Sequence, residues 1–106
     1  MKDEAIALTG EERVIDQITA ILARALQNQP CEAYLFGSRA AGKARGNSDF
    51  DVAVLADVDI SHELSQAREM LEESNIPFKF DVVELRSTSP AFREAVLKKG
   101  VLLWRN

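Results

Sequence analysis

GSRAAGKARGNSDFD, residues 37–51, opens on a glycine–serine pair and closes on two aspartates separated by one phenylalanine. Its flanks decide the fold. Ala33-Tyr34-Leu35-Phe36 is short, apolar and aromatic and runs straight into Gly37, which reads as a buried strand ending in a turn. Ser38 to about Lys43 fits a short helix, Gly46-Asn47 is a turn signal, and Asp49-Phe50-Asp51-Val52-Ala53-Val54-Leu55 is the next strand.

Upstream, Thr9-Gly10-Glu11-Glu12 has the form of a capping box, with Thr9 as N-cap. Behind it Val14, Ile15, Ile18, Ile21, Leu22, Ala25 and Leu26 recur at helical spacing, and Pro30 ends the helix. Downstream, Ser61 is placed to cap a helix that carries Leu64, Ala67, Met70 and Leu71 inward, stopped by Asn75 and Pro77. Lys79-Phe80-Asp81-Val82-Val83-Glu84-Leu85 reads as a third strand. Ser89-Pro90 starts a last helix, with Lys98 and Lys99 near its end and Gly100 just past it. Val101-Leu102-Leu103-Trp104 is a final extended piece. The expected fold class is α/β (α+β), a small mixed β-sheet flanked by helices.

The 106 residues fit a single domain spanning 1–106, with 46 % apolar and 28 % charged residues, an ordinary globular composition. The net charge of −4 is not the basic balance of a protein that coats long nucleic acid, so no direct nucleic-acid binding is expected. The basic residues Arg39, Lys43 and Arg45 gather locally, which suits a small anionic ligand. The lone Cys31 reads as a buried structural thiol. It favours, with the N-terminus lacking a signal-peptide pattern, a cytoplasmic location. No apolar run reaches the roughly 18 residues that span a bilayer, so no membrane role is expected.

Side chains alternate along a strand, so Asp49 and Asp51 point to one face and Phe50 to the other. Their Cα atoms would lie roughly 6.6 Å apart at the usual strand rise. Two neighbouring aspartates repel and suit a strand badly unless a cation offsets both charges. Asp81 is flanked by Phe80 and Val82-Val83 in a strand that looks buried, where a carboxylate is costly unless paired or metal-bound. If the third strand lies beside the second, Asp49, Asp51 and Asp81 could together hold two Mg²⁺ ions, the arrangement used for in-line displacement at phosphorus. Asp57 and Asp59 repeat the Asp-x-Asp pattern without a preceding Gly-Ser turn and read as a solvated connection and helix-start charge.

Gly37 leaves backbone N–H groups free to approach a ligand, and Ser38 adds a hydroxyl donor for a phosphate oxygen. The loop is not a Walker A sequence, because Gly-Lys followed by Ser or Thr is absent, nor a Gly-x-Gly-x-x-Gly dinucleotide fingerprint.

A strand, Gly-Ser, ten residues and then Asp-x-Asp on a strand together resemble the nucleotidyltransferase superfamily that includes DNA polymerase beta. More narrowly, FGSRAAGKARGNSDFDVAVL is similar to the minimal nucleotidyltransferases encoded beside HEPN-domain proteins in prokaryotic toxin–antitoxin pairs. FKFDVVEL matches the place where that family carries its third carboxylate, and FREAVLKKGVLLWRN resembles its closing helix and strand. One departure is Ala41, where members often have a second arginine. The resemblance implies a polymerase beta-like nucleotidyltransferase fold, ATP as donor and Mg²⁺ as cofactor. It implies nucleotide phosphates held by Gly37, Ser38 and Arg39, and metals held by the catalytic Asp49, Asp51 and Asp81.

A chain of 106 residues is expected to leave no room for a separate acceptor-binding domain, so a partner is expected to supply the acceptor. By resemblance this is the tyrosine of a HEPN RNase toxin, neutralised by AMP transfer within a hetero-oligomer. The alternatives are an antitoxin that acts by occlusion without catalysis, or transfer to a small molecule or an RNA end.

Overall fold

The computed structural model describes residues 10–45 and 48–106. The Thr9 cap and the Gly46-Asn47 turn therefore lie outside the described residues. In chain order the elements are α1 (Gly10–Ala25), β1 (Cys31–Phe36), α2 (Gly37–Ala40), β2 (Phe50–Ala56), α3 (Ser61–Glu73), β3 (Phe80–Glu84), a 3-10 turn (Leu85–Ser87), α4 (Pro90–Lys99) and β4 (Val101–Arg105). The expected order of elements stands, with boundaries moved by a few residues.

The strands form one mixed sheet in the order β3-β2-β1-β4. β1 runs antiparallel to both β2 and β4, whereas β2 and β3 are parallel and joined through α3. A parallel pair needs such a crossover, because a tight turn can join only antiparallel neighbours.

One face of the sheet is covered by α1 and α3. Val14, Ile18, Leu22 and Leu26 of the first helical segment and Leu64, Ala67 and Leu71 of α3 bury against Ala33, Leu35, Phe50, Val52 and Val54. Each fully buried aliphatic or aromatic side chain contributes about 1.5–3 kcal/mol from leaving water, so this layer fixes the sheet. The other face carries a smaller cluster, Ala53, Leu85 and Val96, with Tyr34, Phe36 and Leu55 packed against it. Here α4 covers only part of the sheet. Beyond it, at the starts of β2 and β3, Asp49 and Asp81 are exposed and Asp51 is half-buried.

Local chemistry explains the helix ends. Ser89 Oγ accepts the Phe92 N–H at 3.2 Å and Pro90 occupies the first turn of α4, as expected. At α3 the expected cap is corrected: Ser61 is the first helical residue, and the Asp59 carboxylate accepts its N–H at 2.9 Å as well as its hydroxyl. Asp59 therefore supplies the starting negative charge of that helix. Cys31 is a buried free thiol, and Trp104 is half-buried against the larger core. No helix among the described residues is long and apolar enough to cross a membrane.

Candidate active site

Asp51 is the centre of the site. It sits near the start of β2, between Phe36 of β1 and Asp81 of β3, which are its register partners on either side. Register partners share a face, so Phe36, Asp51 and Asp81 form one row across the sheet. Asp49 stands two residues before Asp51, ahead of the first paired residue of β2, and is exposed. The expected strand start at Asp49 is thus moved to Phe50, whose N–H donates to Lys79 O at 3.0 Å.

Asp81 departs from expectation in one respect. It is exposed rather than buried, although Val82 beside it is buried. β3 is the edge of the sheet and only its α3 side is covered, so the residue facing the other way meets solvent.

Asp51 stands in an unfavourable setting for a bare charge. Burial, and then the charges of Asp81 and Asp49, push the Asp51 carboxyl above the usual aspartate range. A cation bound beside it would favour the charged form. Among the described residues, no three acidic, histidine or cysteine side chains already converge as a ligand cage. The donor set nonetheless suits a hard divalent cation, because every donor is a carboxylate oxygen and the site is short of positive charge.

Gly37 forms the adjoining wall. It ends β1 with φ +77°, and a Cβ built there would overlap Asp51 Oδ2 and lie 3.1 Å from Cγ. The missing side chain therefore leaves the space in which the carboxylate stands. Ser38 follows in α2, half-buried, and its carbonyl accepts the Lys43 N–H at 2.9 Å, folding the basic loop back over the turn. Arg45 and Ser48 close the other end reciprocally. The Arg45 N–H donates to Ser48 Oγ at 2.9 Å, and the Ser48 N–H donates to Arg45 O at 3.0 Å.

Arg39, expected beside the phosphates, is directed elsewhere. Its Nε and Nη2 donate to Ser48 O at 3.2 and 2.7 Å, and its Nη1 pairs with Glu11 Oε2 at 3.0 Å. Its Cζ lies 4.0 Å above the centre of the Phe50 ring. Phe50 belongs to the core on the α1–α3 side, opposite Asp51.

Sequence reasoning missed the aromatic border. Phe36 meets Phe92 of α4 edge-on, with ring centroids 5.5 Å apart, and both line an apolar groove with Gly37, Ala40 and Ala95. The available signal was parity: Phe36 shares with Tyr34 the face opposite Ala33 and Leu35.

The family model described as "Polymerase beta, Nucleotidyltransferase" matches residues 16–106. The chain is 37 % identical over 75 residues to "Protein adenylyltransferase MntA" of Shewanella oneidensis, covering 67 % of this chain and 51 % of that relative. It spans 62 % of the length of another curated relative, so these relatives are substantially longer than the matched part. A solved toxin–antitoxin structure with AMP-PNP is similar with a TM-score of 0.63 and 30 % identity, over 83 % of this chain and 73 % of that one. A second solved structure, of a tri-AMPylated Shewanella oneidensis HEPN toxin in complex with MNT antitoxin, has a TM-score of 0.58 and 26 % identity. There the match covers 87 % of this chain and 73 % of that one. With the sheet order, the Gly37–Asp51 contact and a match over most of its length, the chain belongs to the polymerase beta nucleotidyltransferase family.

Proposed function

We propose that this protein is an adenylyltransferase antitoxin that moves AMP from ATP to a tyrosine hydroxyl of a HEPN RNase toxin. The observation that carries the reading is the alignment of Asp51 with Asp81 on adjacent strands, beside a glycine that leaves room for the carboxylate. Family membership and the resemblance to AMP-transferring relatives support it.

In this reading Asp49, Asp51 and Asp81 hold Mg²⁺, and the Gly37 backbone and Ser38 hydroxyl bind the donor's phosphates. Mg²⁺, when bound, offsets the charge of the triphosphate and the carboxylates and lowers the pKa of the acceptor hydroxyl. The acceptor oxygen attacks the α-phosphorus, the bond from that phosphorus to the bridging oxygen breaks, and pyrophosphate leaves with the electron pair. The hydroxyl proton passes to a nearby carboxylate, for which the solvent-exposed Asp81 is the accessible candidate. The proposed setting is the cytoplasm, which agrees with a free, buried Cys31.

The test is incubation of the protein with α-labelled ATP, Mg²⁺ and the HEPN protein encoded beside it. Label should appear on the partner and should be lost with Asp49→Asn. If Asp49→Asn and Asp51→Asn neutralise the toxin in cells as fully as wild type, occlusion replaces catalysis as the mechanism. Transfer from GTP or CTP in preference to ATP would overturn the donor.

A further inference from the structure

We infer that Arg39 is a positioning residue that fixes the chain leading into Asp49, Phe50 and Asp51, and is not a ligand of the nucleotide. This rests on the carboxylates being the metal centre proposed above. Its contact with the Phe50 ring places the Arg39 side chain on the α1–α3 side of the sheet, opposite Asp51. Its side chain is only 7 % exposed, between the start of α1 and the segment that enters β2.

Two guanidinium nitrogens converge on a single carbonyl, Ser48 O, at 3.2 and 2.7 Å. That carbonyl belongs to the peptide whose nitrogen is Asp49's own, so holding it sets the plane from which Asp49 projects. The same group lies 4.0 Å from the Phe50 ring centre and 5.1 Å from that of Phe78. Phe50 stands between the two aspartates in sequence and anchors them from the opposite face. A third nitrogen pairs with Glu11, which joins α1 to the assembly. Arg39 therefore binds the Gly-Ser helix to the Asp-x-Asp strand from behind.

A planar fork that donates in pairs and stacks on a ring cannot be replaced by an ammonium. A phosphate contact, by contrast, needs chiefly a positive charge, which lysine retains. The two roles thus predict different outcomes for Arg39→Lys.

The experiment compares wild type, Arg39→Lys and Arg39→Ala in the full chain by three readouts. These are amide hydrogen exchange across residues 48–51, Mn²⁺ titration without nucleotide, and kcat and KM for ATP at saturating Mg²⁺. Positioning predicts that both variants exchange faster at Phe50, bind Mn²⁺ more weakly and lose about tenfold in kcat, with KM within about twofold. A phosphate ligand predicts a KM raised about tenfold and largely restored by lysine, with exchange and Mn²⁺ binding unchanged. That result, or variants equal to wild type in all three, overturns the assignment. Should Arg39→Ala fail to fold, Arg39→Lys carries the comparison alone. Exchange and Mn²⁺ binding need no acceptor, so a wild-type protein that transfers no AMP would sink the proposed function while these readouts still decide the role of Arg39.

Discussion

Gly37, just past the end of β1, and Asp51 of the neighbouring β2 lie so close that a β-carbon on residue 37 would take the place of Asp51 Oδ2. With φ at +77°, Gly37→Ala is strained in the backbone and displaces the carboxylate at once. Stability should fall by about 1–3 kcal/mol, read by urea denaturation. AMP transfer should fall by about 100-fold or more, as expected when a reacting group is misplaced by an ångström.

Asp81 separates function from stability. It is exposed, so Asp81→Asn should change stability by no more than about 0.5 kcal/mol. Losing a carboxylate ligand removes several kcal/mol of transition-state stabilisation, which is about 10³-fold in rate. Thermal unfolding and labelled AMP transfer on one preparation check both halves. A destabilised variant with full activity would make Asp81 a structural residue.

The pH dependence of the metal-free protein follows from Asp51. Burial and the charges of Asp81 and Asp49 raise its pKa, so the folded state holds this proton more tightly than the unfolded chain. Its contribution is most favourable at low pH and declines as pH rises from the ordinary aspartate range through the raised value. In EDTA at pH 7, Asp51→Asn should therefore melt above wild type. The difference should shrink as pH falls to where wild-type Asp51 is protonated in both states. A variant that melts below wild type at pH 7 would show that the charge is already offset.

Gly100 is constrained by space rather than by backbone angle. A Cβ there would lie 2.6 Å from Val96 O and 3.0 Å from Leu35 O, and backbone oxygens cannot rotate away. Gly100→Ala should cost about 1–3 kcal/mol through overpacking. Gly10→Ala, with nothing within 4 Å, is the control and should cost far less. Chemical denaturation of the pair measures the difference.

The strands were readable because apolar and aromatic runs broken by glycine and proline are local signals. The shared face of Asp51, Ala53 and Leu55 followed from alternation alone. The pairing of Asp51 with Asp81 did not, since register between strands thirty residues apart depends on how α3 packs. The exposure of Asp81 was hidden for a related reason: apolar neighbours suggest burial, but only the sheet order makes β3 an edge. Arg39 was assigned to the phosphates by resemblance, and no local signal showed its contacts with Ser48 O, Glu11 and the Phe50 ring. Asp59 was legible as a charge at a helix start, and the structure gives it the capping contact with Ser61 that the serine alone was expected to supply.

The crossover from β2 through α3 to β3 gives the centre a built-in check on its own assembly. Asp51 and Asp81 stand side by side through a crossover whose helix buries Leu64, Ala67 and Leu71 against the sheet. An incompletely folded or nascent chain presents scattered aspartates with little grip on a cation. The metal centre proposed here thereby depends on the sheet being assembled, and a chain able to capture metal has already closed its parallel β2–β3 pair.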